Sequence, residues 1–161
     1  MAKPSIIDAA GGRFVMLRDR SLVPLSHQHH NGLALCILTE RALGLDSSPE
    51  NVARQSARIA ARFEFETANH IALEESLLFP ACGRSELVTR LIGEHRRMEA
   101  LVATLREAPT AAVLAEFVQL LRAHIRLEEN ELFEDVQRRL PRATLDSLGR
   151  EFETRAIRVC L

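Results

Sequence analysis

Two segments of the chain share one pattern, NHIALEESLLF at positions 69–79 and AHIRLEENELF at positions 123–133. In each, a histidine precedes a glutamate by four positions: His70 and Glu74, then His124 and Glu128. On an α-helix, residues four apart lie on one face, about 6 Å apart along the axis. Each segment therefore directs an imidazole nitrogen and a carboxylate oxygen to the same side of a helix. Such polar pairs within apolar helix sequence predict a metal site inside a helical bundle.

The composition favours a single all-α domain. With 161 residues, the chain is long enough for one compact domain with a buried core. Hydrophobic residues make up 47% of it, and tryptophan and tyrosine are absent, which is typical of a helical protein. A formal net charge of −1 gives no general attraction to nucleic acid or to an anionic membrane. We expect neither as a partner.

Cysteine usage and hydropathy indicate a cytoplasmic protein. The three cysteines, Cys36, Cys82 and Cys160, are odd in number and lack Cys-x-x-Cys spacing, so no disulfide framework is expected. The first residues contain no long apolar run, and no stretch approaches the ~18 apolar residues of a membrane span.

Apolar periodicity and capping signals predict four long helices. They run from an N-cap at Ser26 to about Leu43, from Pro49 to the breakers Pro80 and Gly83, from Ser85 to before Pro109, and from Thr110 to before Pro141. The short turns between them favour antiparallel neighbours. The predicted fold class is all-α, an antiparallel up-down-up-down four-helix bundle.

Three regions are predicted along the chain. Residues 1–24, with two glycines in succession and two prolines, form an N-terminal arm. Residues 25–140 form the bundle. Residues 141–161 form a tail whose short fifth helix begins near Thr144 and packs across the bundle.

The same periodicity places one histidine on the inner line of each helix. Buried imidazoles and carboxylates cost several kcal/mol each when unpaired, so a cation is needed among them. Nitrogen and oxygen donors without thiolate select iron first, then manganese or zinc. Because carboxylates from two helices can each bridge two ions, the predicted site is dinuclear.

The order of these elements resembles the hemerythrin HHE cation-binding family. A histidine in helix one, His-x-x-x-Glu in helix two, a histidine in helix three and His-x-x-x-Glu in helix four agree with it over about residues 22–140. The resemblance implies two non-haem iron ions, with His70 and His124 as terminal ligands and Glu74 and Glu128 as bridges. His95, within LIGEHRRME, matches the third-helix ligand.

The first-helix ligand has two candidates. The run LSHQHHN at positions 25–31 resembles the family's opening motif, in which the first histidine of the doublet aligns with the ligand. That resemblance implies His29. His30 remains an alternative because it lies on a line with Ser26 and Leu33.

Glu99 marks a departure from the family pattern. Oxygen-carrying hemerythrins resemble one another in having a histidine four residues after the third-helix ligand, where this chain has Glu99. As an anionic donor, Glu99 would complete seven ligands and favour ferric iron over reversible oxygenation. The alternative is an exposed partner of Arg96 or Arg106. The full predicted ligand set is His29, His70, Glu74, His95, Glu99, His124 and Glu128.

Neighbouring residues have two interpretations each. Glu75 and Glu129, offset by about 100° from the predicted bridges, either face solvent or accept hydrogen bonds from ligand histidines. The phenylalanines of the region either wall the site or belong to the core: Phe63, Phe79, Phe117 and Phe133.

The predicted function is a non-haem di-iron protein that binds or senses O2, nitric oxide or peroxide. It is more typical of a binding protein than of an enzyme, because no hydrolase triad order, phosphate loop or dinucleotide fingerprint is visible. The alternatives are a di-iron oxidase or peroxidase and an iron-responsive interaction or storage protein. Ferritin-like bundles use Glu-x-x-His, the reverse order, which argues against that assignment. A homodimer or a protein partner is left open.

Overall fold

The computed structural model describes residues 17–158, and all the regular secondary structure in this part of the chain is helical. Five helices follow one another through short turns. They are α1, Val23–Leu45; α2, 49–82; α3, Glu86–Glu107; α4, 111–139; and α5, Arg142–Arg155. The first four form the predicted antiparallel bundle, which is confirmed. No helix between residues 17 and 158 combines the length and apolarity needed to cross a membrane.

The predicted three-part division is only partly covered by the described residues. Most of the predicted arm, residues 1–16, and the last three residues of the predicted tail lie outside them. The division into 1–24, 25–140 and 141–161 stays a prediction.

The start of α1 differs from the prediction. Asp19 caps a 3-10 turn, Arg20–Leu22, that leads directly into the helix, and Pro24 lies in the first turn. Ser26, the predicted N-cap, lies inside α1 and donates its hydroxyl to Glu129 at 2.7 Å. The Ser26 prediction was wrong because the 3-10 turn and an early proline start this helix, a position where proline is favoured.

Hydroxyl caps start the next three helices, as predicted at Ser85 and Thr110. The side chains of Ser48, Ser85 and Thr110 each accept a hydrogen bond from the backbone N–H three positions later, and each such cap is worth about 1 kcal/mol. The end of α2 differs. Pro80 lies in its last turn and does not end it, whereas Gly83, with φ of +79°, does.

Three π-helical turns interrupt the long helices, and none was predicted. They span Phe63–Thr67 and Glu74–Leu78 in α2 and Glu128–Leu132 in α4. The last two begin at the glutamates of the repeated segments. In each, the N–H of the phenylalanine five positions on, Phe79 or Phe133, donates to the glutamate carbonyl. Turns of this kind are rare and frequently accompany functional sites.

The buried core consists of two apolar clusters with a polar layer between them. The far cluster contains Leu35 of α1, Ile59 of α2 and Phe117 of α4 among others. The α5-side cluster includes Leu25 of α1 and Phe152 of α5. Along each of the first four helices, the change from one cluster to the other falls close to a buried histidine. The histidines therefore lie at the middle of the bundle.

The fifth helix lies at one end of the bundle and begins at Arg142, two residues before the predicted start near Thr144. It lies so close to the 3-10 turn that a Cβ atom on Gly149 would be 3.0 Å from atoms of Ser21. Arg142 pairs with Asp19 at 2.6 Å. The hydrogen bond from Arg142 lowers the pKa of Asp19 to about 2. The tail is thus joined to the start of α1 by packing and by charge.

Candidate metal centre

Six residues from four helices meet in the polar layer, and each residue is at most 5% exposed. They are His29 of α1, His70 and Glu74 of α2, His95 of α3, and His124 and Glu128 of α4. They form two overlapping groups in which the ligand atoms lie within 4.8 Å of one another. We call these the His29/His70 half and the His95/His124 half. Glu74 and Glu128 belong to both.

The Nε2 atoms of all four imidazoles point into the layer. His29 Nε2 lies 2.9 Å from His70 Nε2. In the other half, His95 Nε2 lies 3.2 Å from His124 Nε2. Ligands held about 2.1 Å from one ion lie roughly 3.0–3.4 Å apart when the angle between them is 90–110°. The nitrogen pairs have the separation of two ligands on a shared ion.

The two glutamates each reach both halves. Glu128 Oε2 lies 3.0 Å from Nε2 of His29, and its Oε1 lies 3.0 Å from Nε2 of His124. Glu74 Oε1 lies 3.3 Å from Nε2 of His70, and its Oε2 lies 3.4 Å from Nε2 of His95. Each carboxylate therefore places one oxygen in each half, as a ligand that bridges two ions must.

The carboxylate oxygens have no other partner among the described residues. All four oxygens of Glu74 and Glu128 are buried and receive no hydrogen bond there. A buried polar atom without a partner costs about 1–3 kcal/mol, and more when it is charged. A pair of cations between the carboxylates and the imidazoles would satisfy them, so the residues present fit a dinuclear metal.

Each histidine is held from outside by an oxygen that lies 2.6–3.0 Å from its Nδ1. The pairs are His29 with Glu129, His70 with Gln28, His95 with Glu75, and His124 with Glu94. Because a carboxylate can only accept, Nδ1 must carry the proton in three of the four pairs. Nε2 is then free to bind a metal, and the ring orientation is set by the outer partner.

The outer acceptors follow a cyclic order. Each helix's histidine takes its acceptor from the helix before it in the chain, and α1 takes its acceptor from α4. Each acceptor is also the chain neighbour of an inner residue, as Glu75 is of Glu74. Because neighbouring residues are rotated by about 100° on a helix, one side chain points inward while the next reaches the adjacent helix.

Negative charge dominates the centre of the site. Burial lowers the pKa of His70, but the charges of Glu74 and Glu128 outweigh burial and raise this pKa to about 10. The pKa of His124 is raised to about 10 for the same reasons. The interior therefore attracts positive charge, whether a proton or a metal ion.

Of the four phenylalanines considered as walls of the site, two contact the ligand histidines. Phe79 and Phe133 stack on the imidazoles of His95 and His29, with ring centroids 5.7 and 5.2 Å apart. Phe63 and Phe117 instead pack edge to face against each other in the far cluster. The walls come from the residues that close the two π-helical turns at the glutamates.

The structure brings together six of the seven predicted ligands and leaves Glu99 outside. The Glu99 side chain is 44% exposed and pairs with Arg96 at 2.7 Å, while Met98 occupies the buried position beside it. His30 is exposed, with Nδ1 3.1 Å from the carbonyl of Ser26. Of the two first-helix candidates, it is therefore His29 that lies in the cluster.

The outer partners Gln28 and Glu94 were missed in the sequence. Each adjoins a predicted ligand in the chain, as Glu75 and Glu129 do, and that adjacency is the signal that could have identified them. For Glu75 and Glu129, two interpretations had been left open. The structure places both carboxylates against histidines.

A cavity of about 30 Å³, measured as the space open to the centre of a water-sized molecule, adjoins the His29/His70 half. One water needs about 10–15 Å³ on this measure, so a ligand of about two heavy atoms fits. The apolar side of the wall is formed by Leu35, Ile71, Met98, Leu121 and Ile125. Buried Glu66 lies in the wall, accepts a hydrogen bond from Asn31 at 2.7 Å and pairs with Arg62 at 3.1 Å.

Fold and site together define an all-helical bundle with a buried histidine and glutamate cluster that could hold metal ions. The model of the hemerythrin HHE cation binding domain matches residues 22–136. The chain belongs to this family. The matched range includes every residue of the cluster. Comparisons with the curated proteins and with the solved structures gave no match.

Proposed function

We propose that this protein is a non-haem di-iron protein that binds a small molecule such as O2, nitric oxide or peroxide at the buried site. The main support is the placement of Glu74 and Glu128. Each of these glutamates places one oxygen in the His29/His70 half and the other in the His95/His124 half, an arrangement that suits two bridged ions better than one ion.

Each half supplies two imidazole nitrogens and one oxygen from each of the two glutamates. His29 and His70 would hold one ion, His95 and His124 the other. Donors of this kind suit iron, with zinc and manganese as alternatives. When bound, a pair of irons supplies redox chemistry and coordination positions beyond the four protein donors. The protein's own part is to hold the donors, which the four outer acceptors do by fixing the Nδ1 protons.

The small molecule is expected beside the His29/His70 half. The cavity there is lined by three cluster histidines, His29, His70 and His124. Much of its wall is apolar, while Glu66 with Asn31 supplies a polar side for an oxygen-containing ligand. The cavity has room for a ligand of about two heavy atoms.

Anaerobic reconstitution with ferrous iron tests this function. We expect two irons per chain and an optical spectrum that changes when air, nitric oxide or peroxide is added. The variant Glu99→Gln should keep both irons because Glu99 lies outside the cluster. A single tightly bound ion per chain, or a melting temperature that is the same with and without iron, would contradict the proposal.

A further inference from the structure

The outer partner of His70 differs from the other three. His29, His95 and His124 face carboxylates, whereas His70 Nδ1 lies 3.0 Å from Oε1 of the Gln28 amide. A carboxylate always accepts. An amide presents either an acceptor or a donor, depending on which way it is turned. The form of His70 that binds metal therefore depends on what holds the Gln28 amide in place.

The segment after α5 holds the other end of Gln28. Gln28 Nε2 lies 3.1 Å from the carbonyl oxygen of Ile157 and 2.9 Å from Oδ1 of Asn69. A backbone carbonyl can only accept, so the NH2 group of Gln28 must face Ile157. Its oxygen must then face His70, whose Nδ1 must donate.

The same segment orients Asn69. Asn69 Oδ1 accepts a hydrogen bond from the N–H of Ile157 at 3.0 Å, and Asn69 Nδ2 donates to the carbonyl of Arg155 at 3.1 Å. Backbone groups have fixed polarity, so these two bonds settle which way the Asn69 amide points. Three backbone groups in residues 155–157 thus determine a chain of hydrogen bonds that ends at His70.

We propose that residues 155–157 control metal binding at the His29/His70 half, with Gln28 and Asn69 as positioning residues. While the segment is seated, Gln28 holds the proton on Nδ1 of His70, so Nε2 is the nitrogen that gives up its proton to a metal. When the segment leaves, the Gln28 amide can turn and offer its NH2 group to His70. That orientation favours the form with the proton on Nε2, which cannot bind a metal through the nitrogen that faces the site. The inference rests on the proposed metal site.

The seated segment also borders a groove that shares lining residues with the cavity. A surface groove between α1 and this segment is lined by Gln28, Asn31 and Ile157 among others. Gln28 and Asn31 line the buried cavity too. Because Gln28 and Asn31 line both the groove and the cavity, release of the segment would alter the cavity wall as well as His70.

The first test compares the full chain with a chain that ends at Thr154, which lacks all three backbone groups, using zinc as the probe and a competing chelator. We expect the full chain to hold two zinc ions. In the shortened chain, the affinity for the zinc ion of the His95/His124 half should be unchanged. The affinity for the zinc ion of the His29/His70 half should fall about 10–100-fold, the usual effect of losing an outer partner. Asn69→Ala should act in the same direction, and Glu99→Gln should change neither affinity.

A rescue variant separates this control from a general loss of structure. Gln28→Glu in the shortened chain places a group that can only accept opposite His70. We expect it to recover most of the lost zinc affinity. In the full chain the same substitution faces the Ile157 carbonyl, and no gain is expected there.

Amide hydrogen exchange on the full chain gives an independent measurement. Coupling is reciprocal, so zinc should slow exchange of the Ile157 N–H. Equal zinc affinities in the full chain, the shortened chain and Asn69→Ala, or exchange at Ile157 that zinc does not change, would overturn the control by the segment. Failure of the full chain to bind zinc or iron would overturn the proposed function instead.

Discussion

The two halves of the site present the same kinds of inner atoms but are supported differently. In the His95/His124 half, both outer acceptors are carboxylates, Glu75 and Glu94, and each pairs with an arginine, Arg96 or Arg90. This half is held by charge on two neighbouring helices. Its imidazoles have no freedom to change tautomer while these carboxylates are in place.

In the His29/His70 half, one outer acceptor is a carboxylate and the other is an amide whose orientation decides whether it accepts or donates. Glu129 supports His29 and is itself bound by Arg18 and Ser26. The support of His70, Gln28, is neutral and tied to the C-terminal segment. The cavity also adjoins this half. The inner ligands are thus symmetric, but only the His29/His70 half has a neutral outer acceptor and an adjoining cavity.

The largest effect is expected for Glu128→Ala, because Glu128 serves both halves. The variant should lose both ions, and the rise in melting temperature on metal addition should disappear. Metal counting after desalting, with circular dichroism melting, measures this. Retention of one ion would mean that the halves are more independent than the shared carboxylates imply.

A change of pH should affect both halves alike, because each half contains one histidine with a raised pKa. In the metal-free chain the pKa of His70 and that of His124 are both raised to about 10. A base with a raised folded-state pKa stabilises the fold below its unfolded value of about 6.5, and that stabilisation is lost as pH rises through about 10. Metal-free protein should therefore lose stability across this window.

Metal-loaded protein should not lose stability in the same window, because the metal replaces the Nε2 protons. Melting temperatures of both forms from pH 6.5 to 10 provide the comparison. Below this range, protons compete with metal and the ions should be released together. Release of one ion well before the other would show that the halves differ in charge as well as in support.

A smaller effect is expected for Glu75→Gln, which removes the charge opposite His95. The affinity of the ion in the His95/His124 half should fall about 10-fold, and the other ion should be retained. Glu99→Gln is a matched control because both glutamates pair with Arg96. If the two variants behave alike, the outer carboxylate does not support the imidazole.

The smallest effect is expected for Gly32→Ala, which tests the cavity alone. A Cβ at Gly32 would lie 3.0 Å from Cδ1 of Ile125, and both residues line the cavity. Binding of nitric oxide or peroxide should weaken several-fold while both ions remain. Gly93→Ala on α3 is the control, since its Cβ would meet nothing within 4 Å. Equal ligand affinity in both variants would place the ligand elsewhere.

The inner cluster was largely predictable because helical periodicity carries the direction of a side chain. Each His-x-x-x-Glu pair had to share a face, and a buried pair needed a cation. Glu99 could not be settled in this way. Around the helix axis, Met98 lies about 60° to one side of His95 and Glu99 lies about 40° to the other side. Which of Met98 and Glu99 turns inward depends on how α3 is rotated against its neighbours, and the packing placed Met98 in the core.

The sequence by itself determined the helical class, the four antiparallel helices and the shared face of each His-x-x-x-Glu pair, because these follow from spacing along single helices. Only the tertiary structure decided the π-helical turns, the cyclic order of outer acceptors, the cavity and the link from Ile157 to His70. Each of these depends on contacts between segments far apart in the chain, and local periodicity does not contain the distances between helices.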